Sequence, residues 1–408
     1  MKNITEKLFY YLIPILFLFP LFKESIVTFL FILLSLNTLF YCISHKKGLP
    51  NLKKWGYFTI PFWIVFFTCL IYYKNPDDLL PIKNALFFAL FPIVFLLIPL
   101  VHFTKEKVNL YLTIFKNTCL IIAIGYIGAF LYYYDFSDFF VFQYGIPKFR
   151  DFVYYEVPFF KIHPTYYTAF LMLCCAFSLE KILKEKKYIE IIYLLVFILI
   201  TFLLLTKINI VFLIVLLFLM LFFRSTLSVK QKITSSLILF IATSFLIVSV
   251  PGIKNRFAEM YHKFNDPPKG LDYSSTNVRV AIYKCCWNIA EEHYLWGVGF
   301  SKIGNELLEC YQSNYDSGFY EKKGYLSHNY FYYIFLSSGI FGLILYLFYL
   351  YKIATICFRI NSFLLNICMV NILILCFSED FFYRQYGLVF FSLVFYTFYN
   401  SYRESKPS

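Results

Sequence analysis

The side chains best suited to chemistry are Arg150, His163, Lys207, Arg256, Arg279, His328, Asn329, Glu379 and Arg384. Arg and Lys carry the positive charge that a phosphate needs, and an Arg guanidinium can grip it with two parallel donors. An imidazole takes up a proton near neutral pH, which Lys and Arg do not. His328 and Asn329 precede a long apolar run in "SHNYFYYIFLSSGIFG". That pair either marks a helix start, with Asn329 as its cap, or supplies a base and an orienting amide at a membrane surface. His163 precedes Pro164, where helix-start geometry and interfacial Tyr anchoring are a competing explanation. Lys207 lies in the turn "LLTKIN" between two apolar runs, where an unpaired ammonium is costly and must reach water, a carboxylate or an anion. Arg384 follows "SEDFFY", so Glu379 or Asp380 is at hand as its partner. Snorkelling explains any one boundary cation. Their repetition on one face points to a ligand.

The elements that must position these groups are membrane helices. The chain of 408 residues is 60% hydrophobic and 15% charged, against about 25% charged in a soluble protein. Apolar runs recur at about 8–22, 26–43, 57–73, 79–99, 110–134, 164–180, 189–205, 208–223, 233–250, 329–351, 362–378 and 386–400. The expected fold is therefore all-α and polytopic, with about twelve transmembrane helices. With the N-terminus in the cytoplasm, the gaps "HKKGLPNLKK", "HFTKEK", "EKILKEKK", "RSTLSVKQK" and "YKIATICFR" are rich in Lys and Arg. The short opposite gaps "FKES" and "YKNPDD" are poor in them, a positive-inside pattern with both termini inside. The net charge of +13 is thus a topology signal rather than the mark of a nucleic-acid partner. The expected organisation is a helix bundle over 1–250 with an exported loop at about 135–163, a large loop at 251–328, and three last helices with a tail over 329–408.

Within the large loop, "NVRVAIYKCCWNIAEEHYLWGVGF" predicts a helix up to Gly297 and Gly299, burying Val278, Ala281, Ile282, Cys285 and Ile289. Trp287 is expected in the packed core of that loop. The Cys residues are mostly scattered in apolar segments, and a bond from Cys310 to Cys285 or Cys286 is one option. No CxxC, HExxH, P-loop or Rossmann pattern occurs, and no dense Asp/Glu set suits Mg²⁺. No metal and no cofactor are expected.

The chain resembles the O-antigen ligase and polymerase superfamily of bacterial envelope enzymes. The resemblance rests on the topology and on "NVRVAIYKCCWNIAEEHYLWGVGFSKIG", "SHNYFYYIFLSSGIFGLILYLFY", "EDFFYRQYGLVFFSLVF" and "HPTYY". Lys207 stands where related ligases usually have Arg. The resemblance implies a GT-C-like, metal-independent, inverting glycosyltransferase of the bacterial inner membrane with its site on the periplasmic face. Its donor would be an undecaprenyl-diphosphate-linked glycan, and its acceptor lipid A core or, in a polymerase, a growing glycan; protein O-oligosaccharyltransferases also belong to the superfamily. Membrane lipids would be its other partners. His328 is the expected base. Arg279, Lys207, Arg384 and Arg150 are the expected diphosphate contacts, with Glu379 to orient Arg384 or His328 and with Asn329 and His163 in support. The ligase branch is the preferred expectation. A transporter is the alternative of another class, disfavoured because the charges collect near one interface and no internal repeat is evident.

Overall fold

The computed structural model describes residues 2–46, 56–143, 146–224, 228–234, 236–237, 241, 258, 261–271, 273–321 and 324–406. Its helices are α1 (Lys2–Leu16), α2 (Glu24–Ser44), α3 (Ile60–Ile71), α4 (Leu80–Leu97), α5 (Lys105–Tyr133), α6 (Pro164–Glu185), α7 (Glu190–Leu203) and α8 (Lys207–Arg224). They continue with α9 (Ser275–Glu292), α10 (Ile303–Asn314), α11 (Tyr330–Ile360), α12 (Phe363–Cys376) and α13 (Gln385–Glu404). Among the described residues, five helical segments are long and apolar enough to cross a membrane, and four shorter apolar helices accompany them. The chain is a multi-pass membrane protein. The expectation of twelve spans is not established at that count, because the ninth, 233–250, falls mostly outside the described residues, as does Arg256.

Several boundaries differ from the expected ones for physical reasons. α1 stops at Leu16 rather than near 22, since Pro20 has no N–H for the Leu16 carbonyl and a short 3₁₀ turn, Phe19–Leu21, follows. The gap "YKIATICFR" is not a loop but the last turns of α11, which ends only where Asn361 adopts a left-handed backbone at φ 51°. α6 likewise runs through most of "EKILKEKK". Charged residues end the apolar slab without ending the helix.

α6 is the centre of the bundle. Every residue from Pro164 to Ser178 is buried, and the helix packs against α5, α7, α8 and α12. A helix apolar and small-residue-rich all round can be enclosed in this way. Its polar side chains find partners there. Asn209 of α8 donates to the Thr165 carbonyl at 3.1 Å and to Thr168 Oγ1 at 2.6 Å, and Asn371 of α12 donates to Asn209 Oδ1 at 3.1 Å. In an apolar surround these bonds fix the register of three helices.

Two segments outside the long apolar helices close over one end of the bundle. The described residues of 136–143 and 146–156 form a 3₁₀ turn, a two-residue antiparallel ribbon pairing Phe142 with Pro147 and Gln143 with Ile146, and a helical hook from Lys148 to Glu156. Phe139 of the 3₁₀ turn and Phe149 and Phe152 of the hook pack around Phe130 at the end of α5. The second segment, α9 and α10, is joined by a disulfide between Cys285 and Cys310. Val278, Ala281, Ile282, Cys285 and Ile289 are buried, as the periodicity predicts. Trp287 is not in the core: it is 54% exposed, and its Nε1 donates to Glu291. Its position on the helix turns it away from the buried stripe, and pairing with a carboxylate one turn on satisfies its only polar atom.

The Gly-rich turn after α9 docks on a break in α11. Gly339 leaves the helical conformation, and Val298 and Gly299 amides donate to the Leu336 and Ser337 carbonyls at 2.7 and 2.9 Å. A Cβ on Gly339 would lie 2.1 Å from the Leu295 carbonyl, and one on Gly297 2.4 Å from that of Leu336, so the backbones approach too closely for any side chain. This contact sets α9 against the start of α11.

Candidate active site

α2, α4, α6, α11 and α13 begin at the covered end of the bundle, and α5, α7 and α12 finish there. Between them opens a cavity of about 920 Å³. Of the groups singled out in the sequence, Arg150, His163, Arg279, His328, Glu379 and Arg384 line it. Neither Lys207 nor Asn329 does.

Glu379 is the hub. It follows the end of α12 and is buried. Its Oε1 accepts from Arg279 Nη2 at 3.2 Å, and its Oε2 lies 3.3 Å from His328 Nδ1. Burial works against its charge, but the His328 hydrogen bond and the Arg279 charge overcome this and hold the carboxyl well below the usual carboxylate range. An anionic carboxylate at Nδ1 selects the tautomer that carries its proton there, which leaves Nε2 of His328 as an acceptor. Glu379 therefore partners Arg279 and His328, not Arg384. Arg384 is exposed at the start of α13, with its side chain on the cavity wall.

α9 brings Arg279 to this hub. The helix begins with a capping box in which Ser274 accepts from the Asn277 amide and Asn277 Oδ1 accepts from the Ser274 amide at 2.7 Å. One turn beyond Arg279, Tyr283 reaches the carbonyls of His328 and Phe377, both at 3.2 Å. Tyr283 thus ties α9 to the segments that carry both His328 and Glu379. The i, i+4 spacing from Arg279 was the available signal for this side chain.

Asn329 is a cap. Its Oδ1 accepts from the Phe331 and Tyr332 amides at 2.9 and 3.3 Å, so its side-chain oxygen serves the start of α11. His163 caps α6, its Nδ1 accepting from the Thr165 amide at 3.3 Å. Burial pushes the His163 pKa down to about 3, so the ring is neutral and carries its proton on Nε2.

Arg150 lines the cavity while donating through Nη1 to the Leu204 carbonyl at 2.7 Å and, more weakly, to that of Leu205 at 3.4 Å. A cation there satisfies the carbonyl end of α7. Lys207 starts α8 just past this turn. The turn "LLTKIN" is thus fastened to the site through Arg150, and the Lys207 ammonium is not among the cavity's walls.

Among the helix N-termini that abut the cavity are those of α6, α11 and α13, and the carboxylates Glu24, Asp151, Glu379 and Asp380 line it as well. Each N-terminus adds roughly half a positive charge from aligned peptide dipoles. Together with Arg150, Arg279 and Arg384, they suit an anionic ligand. No curated protein matches the chain. Residues 192–347 match the family model described as O-Antigen ligase. That stretch reaches from α7 into α11 and includes Lys207, Arg279 and His328, while Arg150, His163, Glu379 and Arg384 lie outside it. Over that stretch this multi-pass membrane protein is similar to the O-antigen ligase family.

Proposed function

We propose that the protein transfers a glycan from undecaprenyl diphosphate to a hydroxyl of lipid A core. The observation that carries this reading is the shared carboxylate: Glu379 engages Arg279 and His328 at once, in a cavity at the N-termini of three helices. A base and an anion-binding group are thus held at one place, and glycosyl transfer from a diphosphate needs both.

In the reaction, Nε2 of His328 takes the proton of the acceptor hydroxyl as its oxygen attacks the anomeric carbon. The bond to the diphosphate oxygen breaks on the opposite face, and the configuration inverts. Glu379 holds the ring and stabilises the imidazolium that forms. Arg279, with Arg384 and Arg150 on the same walls, stabilises the departing diphosphate. Metal independence is part of the proposal, because guanidinium groups and helix ends supply the charge. The polyprenyl chain would remain among the apolar helices.

We place the cavity on the periplasmic face of a bacterial inner membrane. The basic stretches 105–107 and 180–187 lie at the other end of the bundle, and a disulfide on α9 suits an oxidising compartment.

The test is an assay of the purified full-length protein with an undecaprenyl-diphosphate-linked glycan, once with lipid A core and once without it. Glycan on the core, in the presence of a metal chelator, supports the reading. Chain growth on the carrier would make the protein a polymerase, and transfer that needs added Mg²⁺ would overturn the metal-free site.

A further inference from the structure

Glu379 and Asp380 are adjacent carboxyls with unlike surroundings. Glu379 has a guanidinium and an imidazole. Asp380 has neutral donors: its Oδ2 accepts from the His328 amide at 3.0 Å, and its Oδ1 meets the Ser327 hydroxyl. Among the described residues no cation lies within ion-pair distance of it. Ser327 has a single hydroxyl hydrogen, yet its Oγ also lies 2.9 Å from the Asn329 carbonyl. If Asp380 carries a proton, the chain of donors closes: the acid donates to Ser327, and Ser327 donates to Asn329.

What Asp380 holds is unusual backbone. His328 has φ 46°, a left-handed conformation that a non-Gly residue keeps only when its surroundings enforce it. Asp380 grips the amide of His328 and the preceding side chain, and Tyr283 grips the His328 carbonyl. Asp380 is itself held, since Tyr166 of α6 donates to its carbonyl at 3.2 Å. The charged and titratable groups around this point are Glu379, His328, Arg279, His163, Tyr166 and Tyr283, with Tyr311, Tyr330, Tyr333, Cys286 and Cys376 packed behind Asp380. A second anion beside Glu379 would oppose an anionic ligand in the same cavity.

We propose that Asp380 is a positioning residue that works in its neutral, protonated form, clamping the left-handed backbone of His328 while Glu379 is the one of the two that carries negative charge. Burial favours the same protonation state, raising the Asp380 carboxyl above its ordinary range. Environments that split two neighbouring carboxyls divide their roles in this way. The activity readouts rest on the glycosyltransferase reading; the protonation readout does not.

The test compares D380N and D380A in the purified full-length protein. Asn mimics the neutral acid, with its oxygen for the His328 amide and its NH₂ for Ser327. Ala should lower kcat about 100-fold with the donor KM unchanged, as expected for a misplaced base, and Asn should recover most of that loss. Infrared spectroscopy at neutral pH should show a protonated-carboxyl band that D380N removes. The thermal midpoints of both variants establish that the bundle is folded. Absence of the band, Asn as damaging as Ala in a folded protein, or a harmless D380A would each overturn the proposal. If the wild-type protein transfers no glycan, the functional reading fails while the infrared arm still decides the state of Asp380.

Discussion

The same three helices, α6, α11 and α13, connect two cavities of nearly equal size, about 920 Å³ at the candidate site and about 880 Å³ at the opposite end. Both cavities have mixed charges on their walls. At the opposite end these are lysines and glutamates that pair locally, as Lys184 does with Glu180 one turn away, and Lys187 with Glu185 at 2.6 Å nearby. At the candidate site they are arginines and imidazoles whose partners come from other helices. The helices also present opposite ends: N-termini at the site, C-termini at the other cavity. Cavity size and charge content therefore do not distinguish a reaction site here. The direction of the helices and the sharing of Glu379 do.

Breaking the hub should have the largest effect. H328A should lower turnover by about 10²–10⁴-fold, the usual contribution of a positioned base. The paired change E180Q/K184A at the opposite cavity should leave the rate within about twofold. Equal losses from both would erase the distinction between the two ends.

Next comes the loop that delivers Arg279. Its disulfide joins Cys285 and Cys310 across a sequence separation of 25. Replacing both cysteines by Ser should cost about 3 kcal/mol on chain-entropy grounds, read as a lowered thermal midpoint in detergent. The same midpoint with and without reductant would show that the bond does not hold the loop.

His163 sharpens the comparison through pH. Its pKa is about 3 in the folded protein, against roughly 6.5 when unfolded. Between those values the unfolded chain binds the extra proton, so stability is full above about pH 6.5 and falls as pH drops toward 3. The depressed carboxyl of Glu379 acts in the same direction at lower pH. Thermal unfolding followed from pH 7 to 4 should be less acid-sensitive in H163Q than in wild type, and parallel curves would remove His163 from this account.

The smallest effect is expected at Lys207. Because it does not line the cavity, K207A should change the initial rate by no more than about twofold. A loss as large as that of H328A would place its ammonium on the donor after all.

How much could be read in advance differs by residue. The stripe on α9 was legible, because a periodicity of 3.6 residues is local. The start of α11 was legible to one residue, since Asn329 and the apolar run behind it mark a helix N-terminus. The exposure of Trp287 was not. An aromatic beside a buried stripe reads as core until the neighbouring elements are in place. Arg384 was matched to the carboxylates nearest in sequence, and the fold gave Glu379 to groups 51 and 100 residues away.

The sequence by itself determined that the chain is a helical membrane protein, where its cations gather, and which His stands at a helix mouth. Those properties follow from composition and from spacing within one helix. Only the tertiary structure decided that Glu379 is shared by His328 and Arg279, that Lys207 stays off the cavity wall and that Asp380 clamps the His328 backbone. Each depends on where separate helices end against one another, and helix ends meet through packing and hydrogen bonds that no local pattern encodes.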